Sequence, residues 1–347
     1  MPNGGGSAPA GAVGIVGGSG LTGAELIRLL HGHPHLDLAW ATGDSHAGSS
    51  IAELYPSLAP AVGEERFVPW SPGLAADVDL VFLALPHGAS QHIAGELLEA
   101  GVAVVDLAAD FRLRSAATYE RWYGERHAAP ELIDAFAYGL PELTRHEIRA
   151  SRAVASAGCY PTAAALAITP LVRAGLVATT GAVVDAASGV SGGGRGLKLA
   201  SHFTVANENF NAYGVLDHRH TPEIEQVTGT ELIFTPHLAP MTRGILATCY
   251  LRPARAVTSA EVRGCLARAY TGEPFVAVLA DPPSTKATWG SNAAHVWACA
   301  DDRTGWVVAI CALDNLVKGA SGQALQCANL LLGLDEAAGL AATGVYP

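Results

Sequence analysis

Cys159 sits in the run Ser156-Ala157-Gly158-Cys159-Tyr160-Pro161-Thr162, directly ahead of an alanine-rich stretch from Ala163 to Ala174. Pro161 has the fixed φ and missing N–H that suit a first helical position, so the cysteine is expected just before the positive end of a helix. There the helix dipole and the outward-pointing backbone N–H groups favour a thiolate, lowering the pKa from about 8.5 toward neutrality. The same N–H groups can hold an oxyanion, and Gly158 takes bulk away from one flank of the sulfur. A cysteine without this context is more often a small buried hydrophobe; in it, Cys159 reads as a nucleophile.

About sixty residues on comes Asp217-His218-Arg219-His220-Thr221-Pro222-Glu223-Ile224-Glu225-Gln226. Thr221 is a natural N-cap, Pro222 a natural first helical residue, and Glu223 and Glu225 suit the positive end of the helix. Both histidines thus fall at a helix entrance. Glu223, three positions after His220, is spaced to hold that imidazole in one tautomer and ready for proton transfer. One histidine is then the acid/base partner of Cys159. A metal reading of His218-x-His220 finds no third ligand at convincing spacing, so no metal is expected.

These groups need elements to position them. The first ordered segment, Ala12-Val13-Gly14-Ile15-Val16-Gly17-Gly18-Ser19-Gly20-Leu21-Thr22-Gly23, leads into the helical pattern Ala24 to Leu30 and reads as strand, glycine turn and helix. Glycines at 14, 17, 20 and 23 let the backbone turn tightly and approach a pyrophosphate on the helix N-terminus, although the spacing departs from strict G-x-G-x-x-G. A second strand follows over Leu36 to Thr42. Val78 to Leu85 and Val102 to Leu107 then read as buried parallel strands separated by a helix from Ala89 to Ala100. This alternation predicts a Rossmann-type doubly wound α/β domain, with the loop Leu85-Pro86-His87-Gly88 at the carboxyl edge where nucleotides bind. His87 and Gly88 are cofactor-loop candidates. Beyond Cys159, strands near 183–188, 232–235, 244–251, 274–279, 294–299 and 306–313 predict a mixed α+β domain for substrate and dimerisation. The segment 319–332 is helical and apolar enough to return to the first domain. The expected boundaries are 11–157 with 318–347, and 158–317.

Composition agrees with such an enzyme. A chain of 347 residues, half of them hydrophobic, buries a large core, and its formal net charge of −11 leaves no basic face for nucleic acid. No apolar run reaches the ~18 residues of a membrane span. The opening Met1-Pro2-Asn3-Gly4-Gly5-Gly6-Ser7 lacks the parts of a signal peptide and reads as a mobile tail, and the protein as cytoplasmic. Six cysteines without C-x-x-C pairs suggest neither a disulfide scaffold nor structural zinc. With only 21 lysines and arginines, those in Gly-rich or loop context stand out: Arg112, Arg195, Lys198, Arg219, Arg243 and Lys318. A thiolate, a histidine and a nicotinamide-sized nucleotide site together point to capture of an acyl group as a thioester and its reduction by hydride, or the reverse.

The chain resembles the N-acetyl-gamma-glutamyl-phosphate reductase family of the aspartate-semialdehyde-dehydrogenase-like superfamily. The motifs that carry the resemblance run nearly end to end: Gly17 to Gly23, Leu83 to Gly88, Ala109-Asp110-Phe111-Arg112-Leu113, Tyr138 to Glu142, Gly158 to Thr162, His218 to Ile224, Gly290-Ser291-Asn292, and Asp314-Asn315-Leu316-Val317-Lys318-Gly319. The resemblance implies NADPH-dependent reduction of N-acetyl-L-glutamyl 5-phosphate to the 5-semialdehyde and phosphate, in arginine biosynthesis. It implies Cys159 as nucleophile and His220, aided by His218 and Glu223, as acid/base. The cofactor would lie on Gly17, Ser19, Gly20, Leu21, Thr22 and Gly23 and on the Leu85, Pro86, His87, Gly88 loop, with Ser188, Gly189, Asn292 and Asn315 nearby. Arg112 and Arg195 are candidate anion clamps for the acyl-phosphate substrate, joined by Tyr160 and Ser156, because a guanidinium pairs well with carboxylate and phosphate. A homodimer or homotetramer is expected.

One stretch pulls the cofactor preference two ways. After the second strand comes Thr42-Gly43-Asp44-Ser45-His46, and an acidic residue there favours the bare ribose of NAD. Thr42, Ser45 and His46 can hold the 2′-phosphate of NADP if Asp44 turns away, and NADP is the expectation. Two rivals remain: a lysine-pathway relative acting on a carrier-bound aminoadipyl phosphate, whose docking would favour a basic rim, and a regulator that binds NADP without turnover.

Overall fold

The computed structural model describes residues 11–346, so the tail expected over Met1 to Ser7 lies outside the described residues. The chain divides into two compact units. One comprises residues 11–116, Arg126–Ser156 and Ser321–Leu340; the other comprises Ala117–Glu125, Ala157–Ala320 and the residues from Ala341 on. Residues 117–125, Ala157, residues 318–320 and those from 341 on, given to the first domain on sequence grounds, group with the second unit.

The first unit is built on a parallel sheet of β1 (Gly11–Val16), β2 (Leu36–Ala41), β3 (Leu80–Leu83), β4 (Ala103–Asp106), β5 (Phe136–Gly139) and β6 (Ala153–Ser156). Its order is β2-β1-β3-β4-β6-β5 and every neighbouring pair is parallel. A sheet covered on both faces needs strands apolar on both faces, and Leu80-Val81-Phe82-Leu83 is buried at every position. One covering layer includes the first helix (Leu21–His31) and the returning helix Gly322–Leu331, whose Ala324, Leu325, Cys327, Ala328 and Leu330 join the core formed by Val13, Ile15, Leu80 and Phe82. The chain reverses at β1, with β2 on one side and β3 on the other, which is where ligands sit in open α/β sheets.

The helix expected from Ala89 to Ala100 is broken in two, a 3₁₀ turn at Ser90–His92 and an α-helix over Ala94–Glu99. Side-chain acceptors outside the helix draw its first turn away: the Ser90 hydroxyl donates to Asp106 and the Gln91 N–H to Asp110.

The second unit carries a mixed sheet of β7 (Ala182–Ser188), β8 (Asn211–Ala212), β9 (Leu232–Leu238), β10 (Ile245–Leu251), β11 (Val276–Val278), β12 (Ala294–Ala300) and β13 (Val307–Leu313). The order is β11-β12-β13-β10-β7-β9-β8. Its strands alternate buried and part-exposed residues, as a sheet packed on one face requires. The packed face meets the helix Cys159–Arg173, against β10 and β13, and the helix Ser259–Ala269, against β12. Pro170 lies inside the first of these helices and cannot donate to Leu166 four residues back. The Tyr270 hydroxyl supplies the missing donor, bonding the Leu166 carbonyl at 2.6 Å.

Candidate active site

Cys159 is the first residue of its helix, with Gly158 as N-cap in extended conformation. Pro161 is therefore the third helical residue rather than the first, and the thiol stands in the first turn instead of ahead of it. The shift matters for the donors at this helix end. Pro161 brings no N–H, and the Gly158 N–H is bound at 2.8 Å by the Glu223 carboxylate. Helical geometry aims the N–H groups of Cys159 and Tyr160 out of the same end. Gly158 also caps from behind, its carbonyl accepting both the backbone N–H and the hydroxyl of Thr162 at 2.8 Å.

Glu223 reaches Gly158 from a helix spanning Thr221–Thr228, whose N-cap is His220; Thr221, expected as the cap, is its first helical residue. The carboxylate is buried, so the bond to Gly158 ties the histidine helix to the cysteine helix within one unit. Tyr160 lies at the join. Its ring packs edge-on against His218, His220 and Phe234 at centroid distances of 5.7, 5.9 and 5.2 Å, and its hydroxyl meets Tyr213 at 3.1 Å and the His237 carbonyl at 3.3 Å. Tyr160, at 3% exposure, thus serves as a floor beneath the imidazoles.

The two histidines differ in environment. The His220 N–H donates to Nδ1 of His218 at 3.1 Å, so a neutral His218 carries its proton on Nε2. Rings of Tyr160, Tyr213, His220 and Phe234 surround His218, and this burial pushes its pKa down to about 4 despite the neighbouring Asp217. His218 is neutral at physiological pH. Burial likewise pushes the phenol of Tyr213 up to about 12. Tyr213 is a site residue that motif spacing did not single out, and Gly319 closes the Asp314 to Gly319 motif without having been given a role. A Cβ on Gly319 would meet Cβ of Cys159 at 2.7 Å, so only glycine lets the five-residue π-helix Val317–Ser321 lie against the nucleophile.

Asn315, expected near a cofactor, is 2% exposed and spends its side chain inside the unit. Its Oδ1 accepts from the Gly244 N–H at 2.7 Å and its Nδ2 donates to Ser191 at 2.9 Å, bracing the turn that follows Ser188 and Gly189. Asn292 is fully buried in the same unit. Arg195 and Lys198 are exposed on the loop beyond that turn, Arg219 stacks over Tyr123, Arg243 pairs with the buried Asp314 at 3.5 Å, and Lys318 is fully buried. Arg112 and Ser156 belong to the first unit and are both buried, with Arg112 donating to the Leu107 carbonyl at 2.7 Å.

In the first unit the glycine turn has the shape a pyrophosphate needs. Gly17 has φ +89°, and a Cβ there would meet the Ala84 carbonyl at 2.4 Å; a Cβ on Gly23 would strike Gly17 and Gly18 at 2.5 Å. Helix Leu21–His31 starts on Gly20 without a side-chain cap, so its first N–H groups point out toward whatever binds there. Thr42 is buried, its hydroxyl accepting the Gly17 N–H at 3.1 Å, while Ser19 donates to the Gly43 carbonyl. Thr42 thereby helps to hold the turn. Ser45 and Asp44 are exposed, His46 is part-exposed, and Asp44 has φ +48°. The Leu85, Pro86, His87, Gly88 loop leaves the end of β3, with Gly88 at φ +87°. Among the described residues no group of His, Cys, Asp and Glu side chains forms a metal site, and no helix is long and apolar enough to cross a membrane.

Residues 12–151 match the semialdehyde dehydrogenase NAD binding domain and residues 159–315 the semialdehyde dehydrogenase dimerisation domain. The chain is similar in fold to aspartate semialdehyde dehydrogenase II from Vibrio cholerae, with a TM-score of 0.70 at 16% identity over 93% of this chain and 98% of that one. It is likewise similar to the Candida albicans aspartate semialdehyde dehydrogenase solved with NADP, with a TM-score of 0.69 at 15% identity over 92% of this chain and 98% of that one. Much nearer in sequence are the N-acetyl-gamma-glutamyl-phosphate reductases of Symbiobacterium thermophilum, 48% identical over 96% of this chain and 99% of the relative, and of Pseudomonas entomophila, 46% identical over the same shares. With the glycine turn of its nucleotide domain and the cysteine and histidine helices of its second domain both in place, the chain belongs to the N-acetyl-gamma-glutamyl-phosphate reductase family of oxidoreductases.

Proposed function

We propose that this enzyme reduces N-acetyl-L-glutamyl 5-phosphate to N-acetyl-L-glutamate 5-semialdehyde and phosphate with NADPH, in arginine biosynthesis. The observation that carries the reading is Cys159 in the first turn of its helix, joined through Gly158 and Glu223 to the helix that His220 caps. The names of relatives at up to 48% identity support the substrate.

The Cys159 thiolate attacks the acyl carbon, forming a C–S bond as the C–O bond to phosphate breaks and phosphate leaves. The N–H groups of Cys159 and Tyr160 face the oxygen that gains charge. When bound, the reduced nicotinamide supplies the hydride for the thioester carbon. His220 gives a proton to the carbonyl oxygen as that carbon is reduced; when the hemithioacetal collapses it takes the proton back and the thiolate departs. His218, neutral and packed against Tyr160, positions His220 through its backbone N–H.

The turn from Gly17 to Gly23 would hold the pyrophosphate, and the loop Leu85 to Gly88 the nicotinamide. Ser45 and His46 would hold the 2′-phosphate of NADP, beside Thr42, whose hydroxyl accepts the Gly17 N–H and keeps its own proton to donate. Arg195 and Arg112 remain the proposed clamps for substrate anions. The homodimer or homotetramer forms through the dimerisation domain. The deciding experiment is an assay with N-acetyl-glutamyl phosphate under NADPH and NADH in turn. Phosphate release and semialdehyde formation with NADPH preferred is the expected result, whereas cofactor binding without turnover identifies a regulator and removes this reading.

A further inference from the structure

Within the motif Ala109 to Leu113 only Arg112 has a part in the chemistry described so far, yet Asp110 is fully buried and bonded to the loop assigned to the nicotinamide. One carboxylate oxygen accepts the Gly88 N–H at 2.7 Å and the other the Gln91 N–H at 3.3 Å. Gly88 is where the loop turns, at φ +87°, a conformation that glycine adopts without steric cost. Asp110 is itself held from behind. Nδ1 of His127 accepts the Ala129 N–H at 3.1 Å, so Nε2 carries the proton and donates to the Asp110 carbonyl at 2.7 Å. The Ala128 N–H bonds the Gln91 side chain.

Asp106, at the end of β4, adds a second buried carboxyl to this cluster. Its Oδ1 accepts the Ser90 hydroxyl at 2.7 Å and the Ala108 N–H at 3.0 Å. Two carboxyls in one buried cluster are a costly way to hold a loop, since neutral acceptors would avoid the repulsion between them. Burial, with the charge of Asp110 next, pushes the pKa of Asp106 up to about 7, which relieves part of that cost. Bonds from N–H groups to a carboxylate are charge-assisted and of the stronger kind.

We propose that Asp110 is a positioning residue for hydride transfer: by fixing the Gly88 and Gln91 N–H groups it sets the Pro86 to Gly88 loop against the nicotinamide half of the dinucleotide. This rests on the assignment of that loop to the nicotinamide. The consequence is specific to the nicotinamide half, because Asp110 bonds Gly88 and Gln91, whereas the glycine turn is held by Thr42 on Gly17 and by Ser19 on Gly43.

The test measures equilibrium binding of NADPH and of 2′-phospho-ADP-ribose, which lacks the nicotinamide, to the full-length wild-type protein and Asp110→Asn; NADH and ADP-ribose replace them if the wild type prefers NADH. The variant keeps one acceptor oxygen and loses the charge. Its Kd for the whole cofactor is expected to rise about tenfold or more, with the Kd for the fragment unchanged. Equal weakening of both ligands, or of neither, overturns the proposal. If Asp110→Asn does not fold, Asp110→Glu is read by the same criterion, because a longer carboxylate in a buried site must displace the loop it holds. A wild-type protein that binds the cofactor no more tightly than the fragment shows instead that the loop assignment is wrong.

Discussion

At the scale of single residues, the chemistry divides among three side chains with different electrostatic surroundings. Cys159→Ser is expected to keep the fold and lose at least ~10⁴-fold in rate, because an alkoxide is far harder to generate near neutral pH; a variant retaining a tenth of the activity would remove Cys159 from the mechanism. His220→Asn should cost about 10²–10⁴-fold and abolish one limb of the pH–rate profile, and His218→Asn should cost less. His218, held near pKa 4 by burial, cannot supply a limb between pH 5 and 8. Greater damage at His218, with the profile intact in His220→Asn, reverses the two roles. For stability the sign at His218 follows from its depressed pKa: its contribution is present above the unfolded value of 6.5 and is lost as pH falls toward about 4. Asp106 runs the other way. Its raised pKa contributes stability below the unfolded value of 3.8, and that contribution is lost as pH rises through about 7. Thermal melts from pH 4 to 8 should therefore show a shallower alkaline decline in Asp106→Asn than in wild type; identical slopes would show that Asp106 does not titrate there.

At the scale of elements, the helix that presents Cys159 depends on a partner distant in sequence. Pro170 interrupts its hydrogen-bond ladder, and the Tyr270 hydroxyl repairs the gap at the Leu166 carbonyl. Removing that hydroxyl strands a buried acceptor, which costs about 1–3 kcal/mol. Tyr270→Phe is accordingly expected to lower the denaturation midpoint by that amount while leaving cofactor affinity unchanged, and a neutral effect would mean that the carbonyl finds another donor. Gly319 shows the same dependence without a hydrogen bond, since the π-helix it belongs to approaches Cys159 only because no side chain intervenes.

At the scale of the whole molecule, the seven-stranded sheet packs its helices on one face and leaves Val183, Leu246, Tyr250, Trp297, Val308 and Ile310 part-exposed or exposed on alternate positions of its central strands. Apolar residues gathered on one sheet face in this way mark an association site, in keeping with the match to a dimerisation domain. Light scattering should find at least a dimer in solution, and Ile310→Lys should shift the population toward monomer. A wild-type monomer at micromolar concentration would assign that face another partner.

Much of this architecture could be read directly along the chain, because its causes are local. Glycines at 17, 20 and 23 favour the turn ahead of the first helix, unbroken apolar runs such as Leu80 to Leu83 require a sheet covered on both faces, and Pro161 with helix formers after it puts a helix entrance beside the nucleophile, although the helix begins two residues earlier, at Cys159. The family motifs rest on the same short runs. What tertiary structure decided are the partnerships between distant segments. Glu223 bonds Gly158 across 65 positions, Asp110 holds Gly88 across 22, and Tyr270 serves Leu166 across 104. Neither partner in such a pair leaves a period or a spacing in the sequence. Each bond forms only because packing of the apolar faces brings the two elements together, and a buried donor or acceptor left there must then find whatever group the fold has placed opposite it.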